Sequence, residues 1–244
     1  GNLRIGPLGR ALIWKAAAKD TKTFRLTYEF RCLLETRQPT RDMRDLTHRL
    51  DRKPSAETLR QSLAIQSKHP KIQEQSENLP KDIQSLYEFV DALDYEPVLE
   101  EQSALDCLIA KSGDSLGKSR LLIALCRHRE IPARLVTGVM LLNGRASQAH
   151  YSVEVWLQNE KKWLALDPTH HLFGRSSYPP NYLILHYGDD SWIRSENARL
   201  VHSIHAQRLN SSSDSMAIES SSGLRRFLLR TSLHSLPPQE QHLV

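Results

Sequence analysis

Apolar and polar residues alternate over residues 22–36. Phe24, Leu26, Tyr28, Phe30 and Cys32 share one parity, and Arg25, Thr27, Glu29 and Arg31 the other. A period of two predicts a strand with one face buried in an antiparallel sheet. From Lys81 the period lengthens, and Ile83, Leu86, Val90 and Leu93 recur at helical spacing until Pro97 limits the helix. A second helix is expected over Glu100–Ala110, ahead of the Ser112-Gly113-Asp114 turn. A third should run from Ser115 to about Arg129, with Pro132 closing it. Strands at 133–142 and 149–157 follow, joined through Asn143-Gly144, a strong hairpin signal. The turn 158–161 then leads into a strand at Trp163–Asp167. Helices followed by an antiparallel meander make the fold class α+β.

This pattern divides the chain. Residues 1–36 form an N-terminal β segment. Residues 37–80 are polar and carry Pro39, Pro54, Pro70 and Pro80, so they read as a connector with at most one short helix around Ala56–Ile65. Residues 81–209 form the core with its C-terminal strands. Residues 210–223 are serine-rich and read as a flexible linker. Residues 224–244 are an amphipathic tail in which Leu224, Phe227, Leu228 and Leu233 carry more apolar surface than a free end requires. The tail is expected to dock onto the domain, with Pro237-Pro238 as a stiff exit.

Composition adds exclusions. The net charge of +5 is mild for 244 residues, and no basic stripe interleaved with aromatics marks a nucleic-acid surface. The longest apolar run, Leu121 to Cys126, falls far short of the roughly 20 residues a membrane helix needs. The chain begins Gly1-Asn2 with no signal-peptide pattern and reads as a piece of a longer protein. Cys32, Cys107 and Cys126 are too few and too scattered for a disulfide framework or a zinc site, and each reads as a small buried hydrophobe. His170-His171, and His202 with His205, have no carboxylate partner at ligand spacing, so neither metal nor cofactor is expected.

Chemistry gathers in four spaced motifs. Gly113-Asp114-Ser115 opens the third helix, and Ile131-Pro132-Ala133-Arg134 turns from it into a strand. His150 begins the strand His150-Tyr151-Ser152-Val153-Glu154-Val155-Trp156. Asp167-Pro168-Thr169 ends the next one. Over roughly residues 100–190 this resembles the core of the transglutaminase-like superfamily, related to papain-like cysteine proteases. There a cysteine at a helix N-terminus precedes an Ile-Pro-Ala-Arg turn by 17 positions, the distance from Ser115 to Pro132 here. The resemblance puts the triad on Ser115, His150 and Asp167, with serine in place of the nucleophilic cysteine.

That exchange changes the chemistry. A helix N-terminus stabilises a thiolate through its dipole and free N–H groups. A serine hydroxyl is a weak nucleophile and requires an aligned base. Ser115 therefore reads as an inert remnant or as the N-cap of its helix, with a working Ser-His-Asp peptidase or amidase as the alternative. Cys126 lies 11 residues on from Ser115, about 16 Å along the helix at 1.5 Å per residue, too far to act with His150. Tyr151 and Trp156 are candidate walls for a groove beside the triad, though Trp156 fits the sheet interior better.

The segment Tyr178-Pro179-Pro180-Asn181-Tyr182-Leu183-Ile184-Leu185 with Tyr187-Gly188-Asp189-Asp190, and the tail around Ser232–Gln241, are similar to one bacterial membrane-protein family. In that family an inactive transglutaminase-like domain is fused to seven transmembrane helices. The resemblance implies a periplasmic domain of an inner-membrane protein, with its own transmembrane helices as partners. It further implies a peptide or amino-acid-derived ligand and a functional link to an ATP-grasp peptide ligase. The leading expectation is a non-catalytic binding or sensor module; a scaffold packed on its transmembrane bundle is a further alternative.

Overall fold

In the computed structural model, residues 53–98, 101–141, 149–174 and 182–189 are described in full. The strands at 2–6, 9–13, 25–35, 200–209 and 224–235, with Gln148 and Arg175, are described as backbone. The chain is α+β. In order, β1 (Asn2–Gly6), β2 (Gly9–Ile13) and β3 (Arg25–Glu35) lead to a 3-10 turn at Ala56–Leu59. Then come α1 (Pro70–Glu77), α2 (Ile83–Asp91), β4 (Asp94–Tyr95), α3 (Ala104–Ala110), β5 (Ser112–Gly113) and α4 (Ser115–His128). The sheet strands β6 (Ala133–Met140), β7 (Gln148–Leu157), β8 (Lys162–Asp167), β9 (Leu172–Arg175) and β10 (Tyr182–Tyr187) follow. β11 (Leu200–Leu209) and β12 (Leu224–Ser235) come last. Among the described residues no helix is long and apolar enough to cross a membrane.

The helix α4 is the centre of the fold. Every residue from Ser115 to Arg127 is buried, because α1, α2 and α3 cover one side and β6 with β7 the other. Its run Leu121–Cys126 has no exposed surface and meets Ile72, Leu86, Val90, Ala104, Leu135, Val153, Val155 and Leu166 in one core. Local chemistry fixes where each helix begins. Asp82 accepts from the Ser85 amide at 2.7 Å, and Ser103 forms a capping box with Asp106. α3 ends on Lys111 in the left-handed region, φ 57°.

Residues 53–80 differ from the expected connector. The expected helix at 56–65 is only the 3-10 turn, while α1 forms from Pro70 and buries Ile72, with Ile65 also in the core. Pro70 reads as a breaker, but at the first position of a helix its missing N–H costs nothing. Residues 37–52 and the serine-rich 210–223 lie outside the described residues, as does Asn143-Gly144.

The main sheet is antiparallel, in the order β10-β6-β7-β8-β9. Its edge strand β10 is tied to α4 by Arg127. This buried guanidinium donates to Asp189 Oδ1 at 2.8 Å and to the Ala133 carbonyl at 2.7 Å. Separately, β1 and β2 pair as a hairpin, and β12 is the middle strand of a three-stranded antiparallel sheet with β11 and β3. The first half of the expected tail is therefore a strand, with Leu233 opposite Leu26 and Phe227 opposite Cys32 in register.

Candidate functional site

The first turn of α4 is set by Asp114, whose carboxylate accepts from the Gly117 amide at 2.8 Å. Asp114 is thus the N-cap, and Ser115 is the first helical residue rather than the cap itself. Ser115 is 8% exposed. Beside it, Gln102 lies across the helix start, its Nε2 donating to the Ser112 carbonyl at 3.0 Å. A Cβ on Gly113 or Gly117 would run into the end of the Gln102 side chain, which would have to move aside. Gly113 lies in the Gly113-Asp114-Ser115 motif, whereas Gln102 and Gly117 belong to no motif and nothing in their local pattern marks them.

His150 and Asp167 come from neighbouring strands. The register sets Val153 against Leu166, which puts Ser152 opposite Asp167 and His150 two residues along on the same face. Their side chains meet, with His150 Nε2 2.7 Å from Asp167 Oδ2 and both residues buried. The other carboxylate oxygen, Oδ1, accepts from the Thr169 and His170 amides at 3.0 and 3.1 Å. This turn follows from Asp-Pro-Thr-His: an aspartate ending a strand satisfies the amides two and three residues on. Burial on its own would raise the Asp167 carboxyl. The hydrogen bond and charge of His150, with the contacts of His170, outweigh it and hold the carboxyl below its ordinary value.

Tyr182 braces the histidine from β10. Its ring stands edge-on to the His150 ring at 5.6 Å, and its hydroxyl donates to the His150 carbonyl at 3.2 Å. Room for it comes from Gly138, the β6 residue paired with His150. A Cβ on Gly138 would lie 2.4 Å from the Tyr182 ring. From α2, Tyr87 reaches the Asp167 carbonyl at 3.3 Å and Asp91 at 2.9 Å.

Ser115 is less well placed. Among the described residues no hydrogen bond joins it to His150, although α4 packs against β7. His150 Nε2 is committed to Asp167, which leaves Nδ1 as the nitrogen for any nucleophile. Tyr151 is half-buried against the core. Burial raises its phenol, Glu101 and Asp114 add to that, and Arg120 opposes it. Trp156 lies six residues beyond His150, roughly 20 Å along the strand at about 3.3 Å per residue. It is buried edge-on against Trp163 at 5.4 Å, so it is no wall of the triad. Cys126 is fully buried, and its thiol is pushed up to about 12 by burial.

His170 is the residue that sequence reasoning misses. It is expected to lack a carboxylate partner, yet its Nδ1 lies 3.0 Å from Asp167 Oδ2 and 3.1 Å from His150 Nε2. The Asp167 turn curls it back, and the Asp-x-x-His spacing carried that signal. His171, its neighbour, faces away to Asp91 at 3.0 Å.

Residues 66–168 match the model of the Transglutaminase-like superfamily. The matched residues take in α1 to α4 of the helical layer and β6 to β8 of the antiparallel sheet, an α+β arrangement. The match begins at residue 66, within the stretch 37–80 expected to be a connector. Among solved structures the chain is similar to a Cytophaga hutchinsonii protein assigned as a cysteine protease. That match has 22% identity and TM-score 0.43, over 54% of this chain and 45% of that one. It is similar also to the periplasmic domain of TgpA from Pseudomonas aeruginosa, bound to ethylmercury (22% identity, TM-score 0.36, 46% of this chain and 47% of that one). A third is EGTA-treated Legionella pneumophila LapG, at 14% identity and TM-score 0.38, over 52% of this chain and 75% of that one. The chain thus spans less than half the length of the first two. No curated protein matches it.

Proposed function

We propose that the transglutaminase-like domain is a non-catalytic ligand-binding or sensor module, displayed outside the cytoplasm as part of a multi-pass membrane protein. The observation that carries it is the state of position 115. Serine stands where the superfamily has its nucleophile, and no hydrogen bond links it to His150 among the described residues, whereas activation of a serine requires a base within about 3.2 Å. A ligand held at this site would be a peptide or amino-acid-derived compound, the product or substrate of a peptide-ligase (ATP-grasp) type of enzyme. That class, like the periplasmic placement and the seven helices, rests on the sequence resemblance.

One observation favours a second reading. The His150–Asp167 pair is intact at 2.7 Å, as a Ser-His-Asp peptidase or amidase requires. A fluorophosphonate probe for active serines separates the two. The non-catalytic module stays unlabelled. Labelling that disappears in Ser115→Ala replaces it with the hydrolase.

A further inference from the structure

His150 Nε2, Asp167 Oδ2 and His170 Nδ1 form a triangle with edges of 2.7, 3.0 and 3.1 Å. Hydrogen bonding alone satisfies this triangle poorly. If both ring nitrogens carry protons, each can donate to Oδ2, but two N–H groups then face each other at 3.1 Å. If one is unprotonated, its lone pair faces either the carboxylate or nothing that can donate to it fully. With Asp167 as its carboxylate, every assignment leaves one repulsive edge, whereas a cation at the centre meets three lone pairs.

We propose that these three atoms form a binding site for a divalent transition-metal ion of the zinc class. The dimensions fit. An ion about 2.0–2.1 Å from each donor would sit about 1.1 Å off their plane, with the ligands in adjacent coordination positions. Two histidines with one carboxylate is a donor set of open zinc and iron sites, and its nitrogens select against calcium and magnesium. The ligands are already oriented: Oδ1 of Asp167 is held by two backbone amides, and His150 by Tyr182. The His170 side chain is 45% exposed, which gives the ion an approach from solvent and leaves a position for a further ligand. No other three-donor cluster of this kind occurs among the described residues. The site goes beyond the reading of Ser115 and does not depend on it.

The test is a zinc titration of the chelator-stripped chain against a chromophoric competitor. One ion per chain should bind, with a dissociation constant below about 1 μM. His170→Ala and Asp167→Asn should each weaken it by about 100-fold or more, since loss of an outer partner alone costs roughly 10–100-fold. His171→Ala and Ser115→Ala should leave it unchanged. Imidazole nitrogen NMR of the unsubstituted chain should shift His150 Nε2 and His170 Nδ1 on zinc addition and leave His171 in place. Binding no tighter than about 1 μM, retention of affinity in His170→Ala, or a preference for calcium or magnesium overturns the proposal. None of these outcomes bears on labelling of Ser115, so the two readings fail separately.

Discussion

Gly138→Ala tests how the histidine is positioned. The new Cβ would lie 2.4, 2.6 and 2.7 Å from Tyr182 Cζ, Oη and Cε2, where ordinary contact begins near 3.4 Å. The ring must withdraw by about 1 Å, in a core packed to crystal density. Overpacking of this kind costs about 1–3 kcal/mol. The retreat also strains the hydroxyl bonds to the carbonyls of His150 at 3.2 Å and Val136 at 3.4 Å, at about 1 kcal/mol each when lost. Alanine in place of glycine in a strand returns about 0.5–1 kcal/mol. The net expectation is a loss of about 1–3 kcal/mol, a fall in Tm of roughly 3–10 °C for a chain of this size. Circular-dichroism melting reads the shift directly. The decisive measurement is the double mutant with Tyr182→Ala. With the ring gone, adding Gly138→Ala should cost nothing further, a coupling of at least about 1 kcal/mol. Equal cost of Gly138→Ala with and without Tyr182 would refute the steric account.

Removing the buried Arg127 partner by Asp189→Ala should destabilise by about 3–5 kcal/mol, because an unpaired guanidinium remains inside; urea midpoints measure it. Arg127→Met, which removes the charge as well, should cost less than that. The lowered Asp167 carboxyl means ionisation favours the folded state. Its stabilisation is complete above the unfolded pKa of about 3.9 and is lost as pH falls through the lower folded value. Asp167→Asn should therefore flatten the acid limb of the stability profile measured without metal. Truncation after Leu209 removes β12, the middle strand of its sheet, so amides of β3 should lose protection in hydrogen exchange. Unchanged β3 exchange would mean that β12 does not hold that sheet.

What was legible in the sequence followed from periodicity and punctuation. Ile83, Leu86 and Val90 announce α2, and the alternation around His150 and Trp163 announces β7 and β8, because each buries one face in the common core. Ser115, His150 and Asp167 are named through a spaced motif, and the register delivers two of them to one hydrogen bond. What was missed depends on contacts distant in sequence or on turn geometry. Pro70 starts a helix because Ile72 has a core to enter, which no local pattern reveals. His170 meets His150 only because the Asp167 carboxylate folds the turn back on the strand. Trp156 reads correctly as interior but also as a groove wall, and counting along the strand sets it too far from His150 for that second role.

On the proposed reading Ser115 stands at a nucleophile position near the His150–Asp167 pair, and Ser115→Cys puts that placement to trial. The readout is the pH dependence of iodoacetamide alkylation, compared with the unsubstituted chain. Cys126 and Cys107, both pushed up to about 12 by burial, serve as slow internal references. One fast new thiol is expected, with a pKa below the reference of about 8.5, lowered by the helix N-terminus and the imidazole. A new thiol in Ser115→Cys that titrates at or above that value would contradict the placement.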